Sequence, residues 1–297
     1  MTYIDAITQI IVRNTDQDGL AETGIDGVKL FRAVEPVPCQ PVVYEPCLIA
    51  LASGAKEAIV DGNHHVYSSN QYLCCPLSMP IQAGTSTATP ENPLYGVYIS
   101  LNPRKMTELA VEIENHGNAI RNSNGGPTSL AIRFADWDGL FAEALLRLLQ
   151  LIDAPVDRSV LAEARLRELH YAVLKGEIGG FARQAFGVGN AISRAIAHVS
   201  DNLGEPLAID DLADRAGMSR AVFHRKFKSA TSMSPIQFVK AMRLNNAAMM
   251  ISEGATISQA AMNVGYVSPS QFSREFKRLY GQSPRQWSEM LSLTTKT

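Results

Sequence analysis

Two short stretches hold the side chains with the most chemistry to offer. Residues 223–235 read FHRKFKSATSMSP and residues 272–284 read FSREFKRLYGQSP, so Phe, Arg, Phe, Lys, Ser and Pro recur at identical steps, 49 residues apart. Arg225 and Arg274 fall at the same step of the two copies. A guanidinium is a planar donor fork that fits the O6/N7 edge of guanine. Lys228, Lys277 and Arg278 lie further along each copy and suit phosphate oxygens. Phe223/Phe227 and Phe272/Phe276 are four residues apart, which places each pair on one face of a helix, and an aromatic follows each copy at a common offset, Phe238 and Trp287. A helix with a buried aromatic face and a basic opposite face, written twice, points to two recognition helices for the grooves of a nucleic-acid duplex.

The flanking residues supply the elements that must hold those helices. AISRAIAHVSDNLG (191–204) is amphipathic and stops at Gly204. Asp210 and Asp211 open the next helix, where the helix dipole favours acid, and Gly217 allows a tight turn. Ser219 is a good N-cap for the first repeated helix. A helix of about 18 residues then starts at Pro235 and spans roughly 27 Å. The second unit repeats the plan: ISQAAMNVG, a turn at Gly265, a cap at Ser268, Pro269 in the first helical position and a stop at Gly281. Helix-turn-helix units are therefore expected over about 207–230 and about 256–280. The faces opposite the phenylalanines carry Arg220, Ala221, His224, Arg225 and Lys228 in the first, and Ser270, Ser273, Arg274 and Lys277 in the second.

Charge agrees with this division. The net charge of −2 separates into +5 over residues 190–297 and −7 over residues 1–189, a basic module joined to an acidic body. The composition, 46% hydrophobic and 19% charged, excludes a disordered chain. No apolar run approaches the ~20 residues of a membrane helix, and the N-terminus lacks a basic region followed by an apolar stretch. A cytoplasmic location and no membrane partner are expected.

The first half changes character along its length. IDAITQIIVRN suggests an opening helix; VKLFRAV, CLIALAS, EAIVD, HHVYS, QYLCC and YGVYISL read as strands separated by turn residues, with Asp61-Gly62 as a hairpin turn. This pattern predicts an antiparallel sandwich or small barrel. Helices are expected at 104–116, ending near Gly117, at 136–152 and at 158–175, with RNSNGGPTS (121–129) as a loop. The last two can pack on the sheet or pair with a second copy. The glycine-rich stretch 176–190 reads as the boundary, giving an N-terminal domain over 1–178, a linker over 179–190 and a C-terminal domain over 191–297.

The N-terminal half offers little catalytic chemistry. His64 and His65 are adjacent in a predicted strand and so point to opposite faces, while His116 and His170 lie in helices, so no metal site, catalytic residue or cofactor is expected. Cys74 and Cys75 also alternate between faces. Buried structural thiols are the favoured reading, with effector sensing at Cys74 or Cys75 as the alternative. Arg13, Arg32, Arg104, Arg121 and Arg133 are scattered and form no phosphate-binding cluster.

Residues 190–290 resemble the DNA-binding domain of the AraC/XylS family of bacterial transcription regulators, through IDDLADRAGMSRAVFHRKFK, SPIQFVKAMRLNNA and ISQAAMNVGYVSPSQFSREFKRLYGQSPRQW. The resemblance implies base contacts by Ala221, His224, Arg225, Ser270, Ser273 and Arg274, and phosphate contacts by Ser219, Arg220, Lys228, Ser268, Lys277 and Arg278. Ser232 departs from it, standing where the family often has Gly. Residues 41–101, through PCLIALASGAKEAIVDGNHHVYSSNQYLCCPLSMP, and the stretch LAEARLRELHYAVLKG resemble the N-terminal domain of this family. The fold class implied is α+β: a cupin-like antiparallel β-barrel with packing or dimerisation helices, then an all-α domain with two helix-turn-helix units. The resemblance further implies an activator that binds promoter DNA, partners RNA polymerase, responds to a small-molecule effector and pairs as a homodimer. A ligand-independent dimeric regulator and a catalytic metal cupin fused to a DNA-binding module are the rivals.

Overall fold

The computed structural model describes residues 2–116, 131–187 and 191–294. The expected helix stop at Gly117 and the expected loop at 121–129 lie outside the described residues. The chain forms two compact units. The first comprises Met1–Cys39, Glu45–Leu77 and Ala83–Asn190; the second comprises Gln40–Tyr44, Ser78–Gln82 and Ala191–Thr297.

Helix α1 (Tyr3–Arg13) opens the chain behind a capping box, Thr2 accepting from the Asp5 amide and Asp5 from the Thr2 amide. Nine strands follow: β1 (Gly19–Glu22), β2 (Val28–Ala33), β3 (Val37–Tyr44), β4 (Cys47–Ser53), β5 (Ala55–Val60), β6 (Asn63–Ser68), β7 (Gln71–Cys75), β8 (Met79–Thr85) and β9 (Leu94–Ser100). Helix α2 (Pro103–His116), β10 (Arg133–Asp136), α3 (Gly139–Leu149), α4 (Pro155–Lys175) and α5 (Gly179–Phe186) complete the mixed first half. The strands form a six-stranded sheet in the order β1-β2-β9-β4-β7-β10 and a four-stranded sheet in the order β3-β8-β5-β6. The β5/β6 hairpin turns at Asp61-Gly62, whose φ angles of 50° and 77° are what a two-residue turn between twisted strands requires.

The six-stranded sheet has an apolar layer on each face. On one face Leu30, Leu48, Val97 and Ile99 meet Ile7 and Ile11 of α1, Leu145 and Leu148 of α3, and Leu169 and Val173 of α4 in a single core. On the other, Phe134 packs on Tyr67 and His65 of β6 at ring separations of 5.2 and 5.4 Å. The helices expected after the sheet therefore pack on it, and the N-terminal half of α4 leaves Val156 and Val160 exposed.

Two expectations need correction. The helix predicted over 136–152 begins at Gly139, because Asp136 is drawn into β10 by pairing with Gln71 and Asp138 caps the helix, its carboxylate accepting from the Phe141 amide. The stretch 179–190, expected as a linker, is helical from Gly179 to Phe186. Its small residues let Ala182, Ala185 and Phe186 bury one face, and Arg183 donates to the Leu174 carbonyl that ends α4.

The second unit's C-terminal part is all helical: α6 (Ala191–Asp201), α7 (Ile209–Arg215), α8 (Arg220–Thr231), α9 (Pro235–Ser252), α10 (Ile257–Asn263), α11 (Pro269–Tyr280) and α12 (Pro284–Thr294). Within this unit the buried Asn245 of α9 donates its amide hydrogens to the carbonyls of Val42 and Ile81, both at 2.9 Å, and accepts from the Tyr280 hydroxyl.

Candidate nucleic-acid interface

Helices α8 and α11 are built from equivalent parts. Phe223, Phe227, Phe272 and Phe276 are each 0% exposed, so the repeated aromatics are core and set which face of each helix turns outward. Phe227 meets Phe238 of α9 edge-on at 5.2 Å, and Phe276 meets Trp287 of α12 edge-on at 6.1 Å. The expected aromatic at the common offset therefore serves the same packing role in both copies.

The ends of the two helices differ. At α11 Ser268 caps the helix, its hydroxyl accepting from the Gln271 amide at 3.3 Å, and Pro269 occupies the first turn. Ser219 holds the N-cap position of α8 in extended backbone, but its hydroxyl makes no capping bond, so that expectation is met in position only. At the C-terminal ends Gly281 and Ser232 both adopt the left-handed conformation, with φ of 76° and 65°. The turn before α11 needs Gly265, since a Cβ there would lie 2.9 Å from the Leu203 carbonyl oxygen at a φ of 83°.

Ala221, His224 and Arg225 on α8 and Ser270 and Arg274 on α11 are exposed, and Ser273 is half-buried. Lys228, Lys277 and Arg278 are exposed as well. Arg220, expected at phosphate, pairs with Asp210 of α7 at 3.1 Å across the first turn; both side chains are well exposed, so the pair is weak and easily exchanged. Arg274 and Arg278 line a cavity of 380 Å³ together with Gln271 and Glu275. The sequence reading did not single out Gln271 or Glu275. The available signal was a difference between the copies, Glu275 standing where the first has Lys226.

Glu275 is the most heavily bonded side chain of this face. It accepts from Lys240 Nζ of α9 at 2.9 Å, from the Tyr266 hydroxyl at 2.8 Å and from Gln271 Nε2 at 3.3 Å. Burial raises its carboxyl, and the three donors together with the Lys240 charge outweigh burial, leaving it below the usual carboxylate range.

In the first unit the candidate sensors Cys74 and Cys75 are both 0% exposed. Burial pushes Cys74 up to about 12 and Cys75 further, and Cys75 Sγ donates to the Leu77 carbonyl at 3.1 Å. Both are held as thiols at neutral pH, the form with little nucleophilicity. Among the described residues no group of three or more His, Cys, Asp or Glu could hold a metal ion, and His64 instead bonds Glu57 at 2.7 Å.

Residues 24–181 match the family described as the AraC-type transcriptional regulator N-terminus, and residues 212–290 match a helix-turn-helix domain family. The chain belongs to the AraC/XylS family of transcriptional regulators. Among curated relatives of this AraC-type chain, the HTH-type transcriptional regulator MtrA of Neisseria gonorrhoeae is 34% identical over 97 residues, 32% of each chain. The HTH-type transcriptional regulator AlkR of Acinetobacter baylyi is 33% identical over 97 residues, again 32% of each. The matched stretch thus spans about a third of the length of these relatives, both of them HTH-type transcriptional regulators. Among solved structures, unsaturated fatty acid-bound ToxT from Vibrio cholerae superposes with a TM-score of 0.56 at 10% identity, covering 88% of this chain and 94% of that one. ToxT bound to (E)-4-(8-methylnaphthalen-1-yl)but-3-enoic acid gives 0.58 at 11% identity, covering 89% and 98%. At that identity the likeness shows a shared fold, an antiparallel sheet domain and an all-helical one in a single chain.

Proposed function

We propose that this AraC-type regulator reads promoter DNA with α8 and α11, each lying in a major-groove segment, and that its N-terminal half responds to a small-molecule effector and pairs two copies. The observation that carries this reading is the pair of helices whose repeated phenylalanines are buried while Arg225 and Arg274 are exposed at matching steps. Ala221, His224, Arg225, Ser270, Ser273 and Arg274 supply base contacts in this reading. Ser219, Arg220, Lys228, Ser268, Lys277 and Arg278 supply phosphate contacts, with Ser219 helped by a hydroxyl not spent on capping. Helix α9, 18 residues or about 27 Å long, suits two helices about one DNA turn apart. In this reading the protein activates through RNA polymerase and acts in the cytoplasm; among the described residues no helix is long and apolar enough to cross a membrane.

For the effector, the ToxT structures hold apolar carboxylic acids. In this reading the cation for such a carboxylate is Lys56 of β5, which sits 5.7 Å over the Phe31 ring with its pKa lowered by burial, an ammonium that a carboxylate would stabilise. Pairing is supported by Val156 and Val160, 77% and 73% exposed one turn apart on α4.

Selection of the full chain against a random duplex library tests the core of this reading. Two short conserved boxes about one helical turn apart are expected. Enrichment of nothing over bulk competitor would sink it. Thermal melts with long-chain fatty acids, in wild type and Lys56→Met, test the effector class: stabilisation of the wild type that the variant lacks is expected.

A further inference from the structure

Residues common to the two copies build the helix-turn-helix fold, so a residue that differs between them can do something else. Glu275 is such a residue. Its counterpart Lys226 is exposed on α8, whereas the Glu275 side chain is 13% exposed and takes three hydrogen bonds. Those bonds come from three different places. Lys240 belongs to α9, Tyr266 to the turn before α11, and Gln271 to the first turn of α11 itself. Tyr266 is in turn fixed by its edge-on contact with Phe272 at 5.3 Å. A carboxylate among Gln271, Arg274 and Arg278 does nothing to attract phosphates, and Lys240 neutralises it. What the cluster supplies is a fixed relation between α11 and α9. Helix α8 is referenced to the same helix through Phe227 and Phe238.

We propose that Lys240, Glu275 and Tyr266 are positioning residues that lock the second recognition helix to α9, so that the protein accepts one spacing between the two DNA segments it reads. The proposal rests on the groove-reading role of α8 and α11. Phe223, Phe227 and Phe238, each 0% exposed, hold α8 against α9 by close packing, which resists sliding. A charge-assisted bond network is directional and holds an angle.

The test is selection of a random duplex library by the full-length wild type, Lys240→Met and Glu275→Gln. Lys240→Met cuts the tie from a half-exposed side chain and keeps its stem. Glu275→Gln keeps an acceptor for Tyr266 and removes the charge. Wild type is expected to enrich two boxes at a single spacing. Both variants should keep the base preferences within each box while sites longer or shorter by one base pair become roughly three- to tenfold more frequent, at the lower end of what coupled neighbouring residues support. Variants that retain the wild-type spacing distribution overturn the proposal, as does loss of all base preference in the second box, which would mark a merely structural role. A wild type that enriches no sequence removes the groove-reading itself, and this proposal with it.

Discussion

At the scale of single residues, the side chains proposed to read bases divide by chemistry. Arg225 and Arg274 can make two directed bonds to one guanine; Ser270 and Ser273 discriminate weakly, and Ala221 offers only an apolar contact, as to a thymine methyl. Arg225→Ala and Arg274→Ala should therefore each cost about 1–3 kcal/mol of binding to a selected site, with preference relaxed at one position. Lys228→Ala should weaken selected and scrambled duplexes alike and lower the salt slope by about one. Fluorescence anisotropy over a salt series separates the two patterns, and an Arg225 variant that weakened every duplex equally would reassign it to phosphate.

At the scale of elements, the two helix-turn-helix units make one solution from unequal materials. Glycine ends α11 in the left-handed region without strain, whereas Ser232 ends α8 there with a Cβ, at φ of 65°. An L-residue in that region costs about 1–2 kcal/mol. Ser232→Gly is therefore expected to stabilise the second unit by about 1 kcal/mol, with part of the gain lost to the greater freedom of glycine in the unfolded chain. Urea melts at constant m would register the gain; an unchanged or lower midpoint would show that the serine has a compensating contact. The Thr231 hydroxyl already organises this turn, donating to the Phe227 carbonyl and accepting from the Met233 amide.

At the scale of the molecule, the two units carry different sensitivities. The first contains His170, 5% exposed, whose Nε2 is buried without a hydrogen-bond partner. Burial, reinforced by the Lys105 charge, lowers its pKa from 6.5 to about 4. The folded state therefore keeps the ring neutral where the unfolded chain protonates it. Its contribution is fully present above 6.5 and is lost as pH falls from 6.5 towards 4, a change of up to about 3 kcal/mol. Denaturant melts at neutral pH and near the lower end of that window should show a smaller loss in His170→Gln than in wild type. Equal losses would place the acid sensitivity elsewhere.

The sequence by itself determined whatever depends on local order. Phenylalanines four apart, the cap at Ser268, Pro at helix starts and the Asp61-Gly62 turn all act within one or two turns of chain, so their spacing is enough to read them. The repeat raised the exposed Arg225 and Arg274 from charged residues to candidate readers. Tertiary structure decided what depends on partners distant in sequence. Strand β10 exists because Phe134 and Ala135 pair with Leu73 and Tyr72, some sixty residues earlier. Alternation placed Cys74 and Cys75 on opposite faces, but only the packing of helices on one face and β6 on the other shows that both faces are dry. Glu275 reads as one more surface charge until Lys240 and Tyr266 arrive beside it, and Asn245 as one more helix polar residue until the carbonyls of Val42 and Ile81 do. Hydrogen bonds between groups far apart along the chain leave no periodic trace, because neither partner's spacing to its neighbours is constrained by the bond.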